Sequence, residues 1–447
     1  MIRLNSTDGK LRSSILQKNI LASFLIKGWS AVIVFLLTPV TLKCLGEYTN
    51  GVWLTISSVM LWIDNLDIGL GNGLRNRLAI YMAHDDKLHA RSLISSTFAV
   101  LTYIIVPAMF IMIVLIWTCN TYSLFNVNRE VINNLDNVLT ITVVMVCSTF
   151  VFKLIGNFYM GMQLPAVSNM LVAVGQTLAY IGTLILYRSG SHSLLHIALV
   201  NTAAPLITYL IAYPVTFVFK YPELRPSMKL VNISEAKDVM SVGVQFFVIQ
   251  ISSVVLFMTS NLLISKLFEP SMVTPYGIAY RYFSVLLVAF TVICMPFWNA
   301  TTDAYERNDI EWIRRATRKL SILTIALFIG MIVMIALSPL VYSIWIGPEV
   351  IVDIRMSIGV AVYIFILIYS MRYSYFINGI GKLRVQLIFT VSAAVVFIPA
   401  AYAAVKWSHD LVWFIAVMCL VNLPGMIANR IQFYKLVNGK AKGIWTK

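Results

Sequence analysis

The sequence predicts an all-α polytopic membrane protein with about twelve transmembrane helices in two six-helix bundles. Of its 447 residues, 59% are hydrophobic and only 12% are charged, whereas a soluble protein averages about 25% charged residues. A transmembrane helix needs about 20 apolar residues to cross about 30 Å of hydrocarbon. The chain is long enough for about twelve such helices with their connections. This composition excludes a soluble enzyme.

Apolar runs bounded by charged residues, proline or glycine predict the individual helices. The first six lie near 20–44, 50–70, 93–118, 137–158, 165–187 and 195–219. The second six lie near 239–265, 270–298, 320–346, 355–378, 385–405 and 411–430. The polar and basic first 19 residues are not followed by a small-residue cleavage site. We therefore expect the first helix to be retained rather than removed as a signal peptide.

A polar stretch near the midpoint of the chain divides the helices into two sets of six. The predicted domains are a bundle over 1–219, a cytoplasmic linker over 220–238, a bundle over 239–430 and a basic tail over 431–447. Gly51 and Gly277 are 226 residues apart, as are Ser95 and Ser321, which is a weak sign of duplication. Internal repeats with a binding site between them are common in transporters.

The basic residues alternate between the predicted loops. The N-terminus, the even-numbered loops and the tail contain 24 of the 34 lysines and arginines. The positive-inside rule then predicts that both termini are cytoplasmic. The net charge of +15 is thus explained by topology and by attraction to anionic lipid. It is not a sign of nucleic-acid binding.

Catalytic and metal-binding constellations are not found in the sequence. The five histidines lie in or beside predicted loops, and no histidine, cysteine and carboxylate residues cluster at metal-ligand spacing. No catalytic residue, metal or cofactor is therefore expected. Five scattered cysteines do not form a disulfide framework. Cys44 and Cys119 could both lie at the outer edge and pair, although free thiols are the favoured expectation.

Charged residues within the predicted helices are the main functional candidates, because they are costly in hydrocarbon and by default suggest a function. Arg281 lies near mid-membrane, where a functional role is favoured. For Lys27 the functional and structural interpretations remain equally open. Lys153 and Arg372 lie nearer helix ends, where long side chains can reach the interface. They are secondary cationic candidates.

Asp64 and Asp67 are three residues apart and share a face of the second predicted helix. One hypothesis is a proton or sodium coupling site, or an anionic gate. The structural alternative is that they pair with Arg75 or Arg77, or cap the following loop. The structural alternative is favoured for Asp67, and both interpretations remain open for Asp64.

A polar stripe follows helical spacing along the seventh predicted helix, at Gln250, Ser253, Phe257 and Asn261. The next helix adds Tyr280 among other aromatic residues. Such a stripe faces either another helix, as hydrogen-bonding contacts, or a water-filled cavity. Aromatic rings beside amides suit a sugar-bearing ligand, so Gln250, Asn261 and Tyr280 are candidate substrate-binding residues.

Two stretches resemble a known family. Residues 45–53 read Leu-Gly-Glu-Tyr-Thr-Asn-Gly-Val-Trp, and residues 67–76 read Asp-Ile-Gly-Leu-Gly-Asn-Gly-Leu-Arg-Asn. They resemble the polysaccharide transport family of oligosaccharide flippases, in particular Wzx-type O-antigen or capsule flippases. This family belongs to the multidrug/oligosaccharidyl-lipid/polysaccharide exporter superfamily.

The resemblance implies a fold similar to that of multidrug extrusion transporters, with two bundles around a central cavity that alternates access. It implies an undecaprenyl-pyrophosphate-linked oligosaccharide as substrate, moved from the cytoplasmic to the periplasmic leaflet of the bacterial inner membrane, with ion coupling expected. Polysaccharide polymerase and chain-length proteins are the implied protein partners. Similar flippases use basic cavity residues, and Lys27 and Arg281 match by position.

Three other classes are less favoured. A drug or cation exporter of the same architecture would be expected to place carboxylates in its cavity. A major facilitator carrier would show Gly-x-x-x-Asp-Arg-x-Gly after the second helix, where this chain has Asn-Gly-Leu-Arg-Asn-Arg over residues 72–77. A membrane-embedded polymerase or glycosyltransferase usually has a large periplasmic loop, but the longest outer loop predicted here is only 119–136.

Overall fold

The computed structural model describes residues 9–65, 70–232, 259–306 and 308–446. These residues form α-helices joined by short connections, and no strand occurs among them. Ten helical stretches in this part of the chain are long and apolar enough to cross a membrane. The predicted all-α fold class is confirmed, and the protein is a multi-pass membrane protein.

The helices follow the predicted order. In the first half they are α1 (Gly9–Asn65), α2 (Leu70–Ala83), α3 (Lys87–Thr118), α4 (Thr121–Phe125), α5 (Leu135–Phe152), α6 (Leu154–Gly161), α7 (Pro165–Arg188) and α8 (Leu194–Pro214), which continues as a π-helical turn, Val215–Lys220. In the second half they are α9 (259–267), α10 (Pro270–Glu306), α11 (Ile310–Trp345), α12 (Ile354–Ile380), α13 (Arg384–Ser408) and α14 (Leu411–Val437).

The first two predicted helices join in α1. Gly46 has φ 72° and ψ 172°, so the backbone kinks there and separates two helical limbs. This positive φ is easily adopted only by glycine. One apolar stretch, Leu25–Leu61, therefore covers both predicted helices. The seventh predicted helix, near 239–265, lies mostly outside the described residues.

The chain forms two compact units. The first comprises residues 1–46, 60–124 and 128–247, and the second comprises residues 47–59, 125–127 and 248–447. The second limb of α1 thus belongs largely with the C-terminal helices. The sequence pattern did not predict that residues 47–59 group with the second unit, because hydropathy does not show which helices pack together.

Within the second unit, small residues allow close contact between the segment 47–59 and α10. A Cβ atom on Gly51 would lie 1.7 Å from the Pro270 carbonyl oxygen, and one on Gly277 would lie 2.9 Å from a Leu54 methyl carbon. The Asn50 amide also donates to the Thr274 hydroxyl at 3.2 Å. The two glycines separated by 226 residues therefore act in one helix–helix contact, where only a missing side chain lets the backbones approach.

Within the first unit, the described part of the predicted linker is bound to the start of α3. The Ser227 backbone N–H donates to Ser95 Oγ at 3.0 Å, and the Asn232 N–H donates to Ser96 Oγ at 2.7 Å. Arg91 Nε donates to the Arg225 carbonyl at 2.8 Å. Residues 225–232 therefore extend the first unit as an ordered strap.

Candidate functional site

A cavity of about 520 Å³ lies within the second unit, between α10, α12, α13 and α14. Its size falls within the range of roughly 300–1,000 Å³ that is typical of small-molecule sites. We call it the polar cavity. Its lining residues are Tyr280, Leu287, Trp298, Ile366, Leu367, Ser370, Met371, Ser374, Tyr375, Asn378, Gln386, Phe389, Thr390, Ala393, Val421, Asn422, Gly425, Met426 and Asn429.

Helical periodicity brings the polar groups to the polar cavity. On α12, Ser370, Ser374 and Asn378 recur at intervals of four residues, so they lie along one face of the helix. On α14, Asn422 and Asn429 are seven residues apart and likewise share a face.

Part of this polar surface is held by internal hydrogen bonds. The Asn429 side-chain nitrogen donates to Ser370 Oγ and to Ser374 Oγ, both at 3.0 Å, which connects α14 to α12. Asn429 itself is only 5% exposed. The Asn422 side-chain nitrogen donates to the Met418 carbonyl at 2.8 Å within α14. These bonds fix the amides in place.

Three amide oxygens at the polar cavity have no hydrogen-bond partner among the residues that the structure describes. They are Asn378 Oδ1, Gln386 Oε1 and Asn429 Oδ1. A buried acceptor left without a donor costs about 1–3 kcal/mol. Three such acceptors around one cavity indicate a site whose donors come from a ligand or from water.

Aromatic rings complete the lining of the polar cavity, and its described residues carry no formal charge. Trp298 and Tyr375 meet edge to face, with ring centroids 6.3 Å apart at an interplanar angle of 67°. Tyr280 and Phe389 add two further rings. Among the described residues, no aspartate, glutamate, lysine, arginine or histidine lines the polar cavity. Its chemistry suits neutral hydroxyl-bearing ligands, because rings pack against apolar faces while amides and hydroxyls bond the polar edges.

The predicted residues of α10 lie at and beside this cavity. Tyr280 lines it, and the adjacent Arg281 is half-buried without being one of its lining residues. Asn261, on α9, donates to Ser58 Oγ and more weakly to the Leu54 carbonyl. In the described structure Asn261 therefore makes a hydrogen-bonding contact between helices.

The other predicted cations lie in different surroundings. Lys27 is exposed on α1 in the first unit, two residues before Trp29, whose indole N–H donates to Thr177. Lys153 is half-buried at the break between α5 and α6. Arg372 is only 7% exposed and lies against the rings of Tyr369 and Tyr373, 4.8 and 4.4 Å from their centroids.

Three predicted residues fall wholly or partly outside the described structure. Gln250 and Asp67 lie outside the described residues. The backbone of Asp64 is part of α1, and its side chain is not described. Their roles remain predictions. All five cysteines are described and are free thiols, with Cys44 buried and Cys119 exposed. No group of metal-binding side chains occurs within the described ranges.

The amides of the polar cavity were not predicted from the sequence. A charged residue stands out in an apolar helix, whereas neutral polar residues are common there as contacts between helices. The signal was present in α12, where Ser370, Ser374 and Asn378 repeat every four residues within an otherwise apolar span. Such a stripe in one helix is ambiguous. The fold removes the ambiguity by bringing Gln386 and Asn429 to the same space.

Comparison with known proteins yields one curated relative by sequence. A protein described as "Putative O-antigen transporter", from Salmonella typhimurium strain LT2, is 20% identical over 268 residues. The match spans 58% of this chain and 58% of that protein. No family model matches the chain.

Solved structures resemble the whole chain. The inward-facing conformation of a multidrug resistance MATE family transporter of the MOP superfamily has a TM-score of 0.76 at 16% identity, covering 94% of this chain and 95% of that one. An outward-facing conformation of such a transporter has a TM-score of 0.67 at 16% identity, covering 96% and 97%. The resemblance recognised in the sequence is therefore confirmed in the fold, and this chain has the fold of the MATE transporters of the MOP superfamily.

Proposed function

We propose that this protein is a flippase for an undecaprenyl-pyrophosphate-linked oligosaccharide. It moves an O-antigen or capsule repeat unit from the cytoplasmic to the periplasmic leaflet of the bacterial inner membrane. It does so as a transporter rather than as an enzyme, by alternating access between the two sides. The proposal combines the fold with the name of the curated relative and with the chemistry of the polar cavity.

The observation that carries the proposal is the uncharged, amide-rich lining of the polar cavity. An exporter of cations would be expected to use carboxylates there, and the described lining residues include none. Sugars offer many hydroxyl donors, and the unpartnered oxygens of Asn378, Gln386 and Asn429 are acceptors. Trp298 and Tyr375 offer ring surfaces for the C–H faces of a sugar.

A protein is needed because this substrate cannot cross the bilayer unaided. Unsatisfied polar groups in hydrocarbon cost several kcal/mol each, and a repeat unit carries many hydroxyl groups beside its pyrophosphate. A polar cavity exchanges water for protein hydrogen bonds of modest net strength, about 0.5–1.5 kcal/mol each. Weak individual bonds also allow release on the far side.

The pyrophosphate requires positive charge, which neutral amides do not supply. Arg281 and Lys27 are our candidates, since hydrogen bonds from cations to phosphate are roughly twice as strong as neutral ones. We assign Asp64 and Asp67 to ion coupling or gating as a further part of the proposal. Polysaccharide polymerase and chain-length proteins would act on the flipped product.

A transport assay with purified protein tests the proposal. The full chain is reconstituted into liposomes carrying a fluorescent lipid-linked oligosaccharide, and the sugar exposed on each face is measured with a membrane-impermeant quencher. We expect accelerated equilibration of the label between leaflets relative to protein-free liposomes. A parallel assay with a cationic dye tests the exporter alternative.

The outcomes separate the candidate functions. Dye accumulation without movement of the oligosaccharide would favour a drug or cation exporter and contradict the proposal. Elongation of the glycan by the protein, without change of leaflet, would favour a polymerase or glycosyltransferase. Lys27→Gln and Arg281→Gln variants then test the cations, with Lys406→Gln as a control for simple loss of positive charge.

A further inference from the structure

A second concave surface lies at the end of α14, outside the polar cavity. It is a groove of about 500 Å³ between α14 and Tyr369 of α12. Six residues of α14 line it at helical spacing, on one side of the helix: Met426, Ile427, Arg430, Ile431, Tyr434 and Lys435. Asn438, at the C-terminal cap of the helix, and Lys440 continue the lining. We call it the C-terminal groove.

The C-terminal groove changes from apolar to basic along its length. Ile427 and Ile431, which are 51% and 41% exposed, form its apolar part. Lys435 and the exposed Lys440 form its far end, with Arg430 between the two parts. Ile427 and Asn438 are separated by about 16 Å along the helix axis. One surface thus offers apolar contacts at one end and cations at the other.

The turn after α14 brings Lys440 back over the helix end. The Lys440 N–H donates to the Lys435 carbonyl at 2.8 Å, and the Gly439 N–H donates to the Leu436 carbonyl at 3.2 Å. Gly439 has φ +66°. These are the bonds of a Schellman motif, in which the left-handed residue reverses the chain. The position of Lys440 at the groove is therefore set by the backbone.

The two helices carry an excess of positive charge near this groove. Residues 369–384 and 420–446 contain seven lysines and arginines and no aspartate or glutamate. Arg372 lies buried beneath Tyr369, with its guanidinium carbon 4.8 Å from the ring centroid. A further arginine, Arg314, reaches the Val437 carbonyl at 3.3 Å and also pairs with Glu311 at 3.8 Å. The local field therefore favours an anion.

We infer that the C-terminal groove is a binding site for an anionic phospholipid, with the phosphate at Arg430 and Lys440 and an acyl chain along Ile427 and Ile431. Basic pockets at the ends of transmembrane helices bind anionic head groups. The helix that forms the groove is itself a membrane-spanning segment, Leu411–Val437. In a bilayer, the exposed side chains of Ile427 and Ile431 are available to acyl chains.

A free phosphate would use only the basic end of the groove. The apolar end requires a ligand with a hydrocarbon chain, which selects a lipid. Met426 lines both the C-terminal groove and the polar cavity. A polyprenyl pyrophosphate, which also has an anionic head and a hydrocarbon chain, is therefore the competing ligand for the groove. We assign the groove to membrane phospholipid, because it lies at the end of a helix that is long and apolar enough to cross a membrane. Its cations and exposed isoleucines also lie outside the lining of the polar cavity.

Native mass spectrometry of the purified full chain in neutral detergent tests this assignment. Phosphatidylglycerol, phosphatidylcholine and undecaprenyl pyrophosphate are titrated separately and in competition. We expect tight binding of phosphatidylglycerol and much weaker binding of phosphatidylcholine. The Arg430→Gln/Lys440→Gln double variant should bind phosphatidylglycerol at least about tenfold more weakly, since each cation near the head group contributes about 1 kcal/mol.

Lys406→Gln is the matched control, because Lys406 is an exposed cation near the end of α13 and does not line the groove. It should leave phosphatidylglycerol binding unchanged. If the double variant folds poorly, Lys440→Gln alone serves, because this exposed residue lies beyond the helix. Equal binding by wild type and variant, or equal affinity for the two phospholipids, would overturn the assignment. Preferential displacement of phosphatidylglycerol by undecaprenyl pyrophosphate would assign the groove to the substrate instead.

Discussion

Replacing Gln386 with methionine should make the protein more stable and a poorer transporter. Gln386 lines the polar cavity, and its Oε1 has no hydrogen-bond partner within the described part of the chain. Methionine has a similar shape and helix propensity, so the packing of α13 should be preserved. An amide kept at a cost to stability is expected where function requires it.

The expected gain in stability and the expected loss of transport both depend on Gln386 Oε1. An unsatisfied buried acceptor costs about 1–3 kcal/mol, and the side chain as a whole is half-buried. A gain of about 1 kcal/mol in the variant is therefore expected, at the lower end of that range. A bond from a sugar hydroxyl contributes about 0.5–1.5 kcal/mol. Its loss lowers transport efficiency by roughly two- to tenfold, since 1.4 kcal/mol corresponds to a factor of ten.

Thermal denaturation in detergent and the liposome assay measure the two effects on one preparation. Gln176→Met is the matched control, because Gln176 Oε1 is likewise buried without a partner among the described residues. Gln176 belongs to α7 of the first unit and does not line the polar cavity. The control should gain stability and keep its transport rate. Loss of stability in Gln386→Met, or equal loss of transport in both variants, would refute the reasoning.

Three further predictions concern the fold. Gly51→Ala should lower stability by about 1–3 kcal/mol through overpacking, because its Cβ would lie 1.7 Å from a backbone oxygen of α10. In the control Gly330→Ala the new Cβ meets nothing within 4 Å, so stability should rise by up to about 1 kcal/mol. Equal shifts of the thermal midpoint in the two variants would contradict this prediction. Ser96→Ala removes the acceptor of the Asn232 backbone N–H and should speed limited proteolysis within residues 225–232. Ser189→Ala, at an exposed position, should not change the rate of cleavage. Unchanged cleavage in Ser96→Ala would contradict the ordering of residues 225–232 by this contact. Hydrogen bonds from the side chain and backbone N–H of Arg355 lower the pKa of Asp353 in the folded protein. The ionised Asp353 therefore contributes its full stabilisation above the unfolded pKa of about 3.9. This stabilisation is lost as the pH falls through the lower folded pKa. The deficit in thermal midpoint of Asp353→Asn should accordingly be present at pH 7 and disappear below that folded pKa, and a pH-independent deficit would argue against the charge.

Much of the architecture could be predicted from local sequence patterns. Hydrophobic runs must match the bilayer thickness, so helix positions follow from composition alone. The break at Gly46 was also predictable, because the apolar pattern is interrupted there. Packing between distant segments was not predictable. The contact between Gly51 and Pro270 depends on tertiary structure, and the spacing of the glycines indicated only a possible repeat.

The candidate site was only partly predictable for a related reason. A lone charge within an apolar helix is conspicuous, which drew attention to Arg281 and Lys27. The polar cavity instead consists of neutral residues that are individually ordinary in transmembrane helices, where they often bond neighbouring helices. Asn261 and Asn429 both form such bonds. Only the arrangement of four helices distinguishes the amides that also surround a cavity.

Photocrosslinking from the cavity wall tests most directly whether the polar cavity handles the sugars of a lipid-linked oligosaccharide. A photoreactive amino acid is placed at Thr390, which lines the polar cavity, or at Val395 on the same helix, which is 69% exposed. Both proteins are irradiated in liposomes with the lipid-linked oligosaccharide, and the attached mass is identified by mass spectrometry. We expect glycan attached at position 390 and only lipid at position 395. Active transport without glycan attached at position 390 would contradict the assignment of the polar cavity to the sugars.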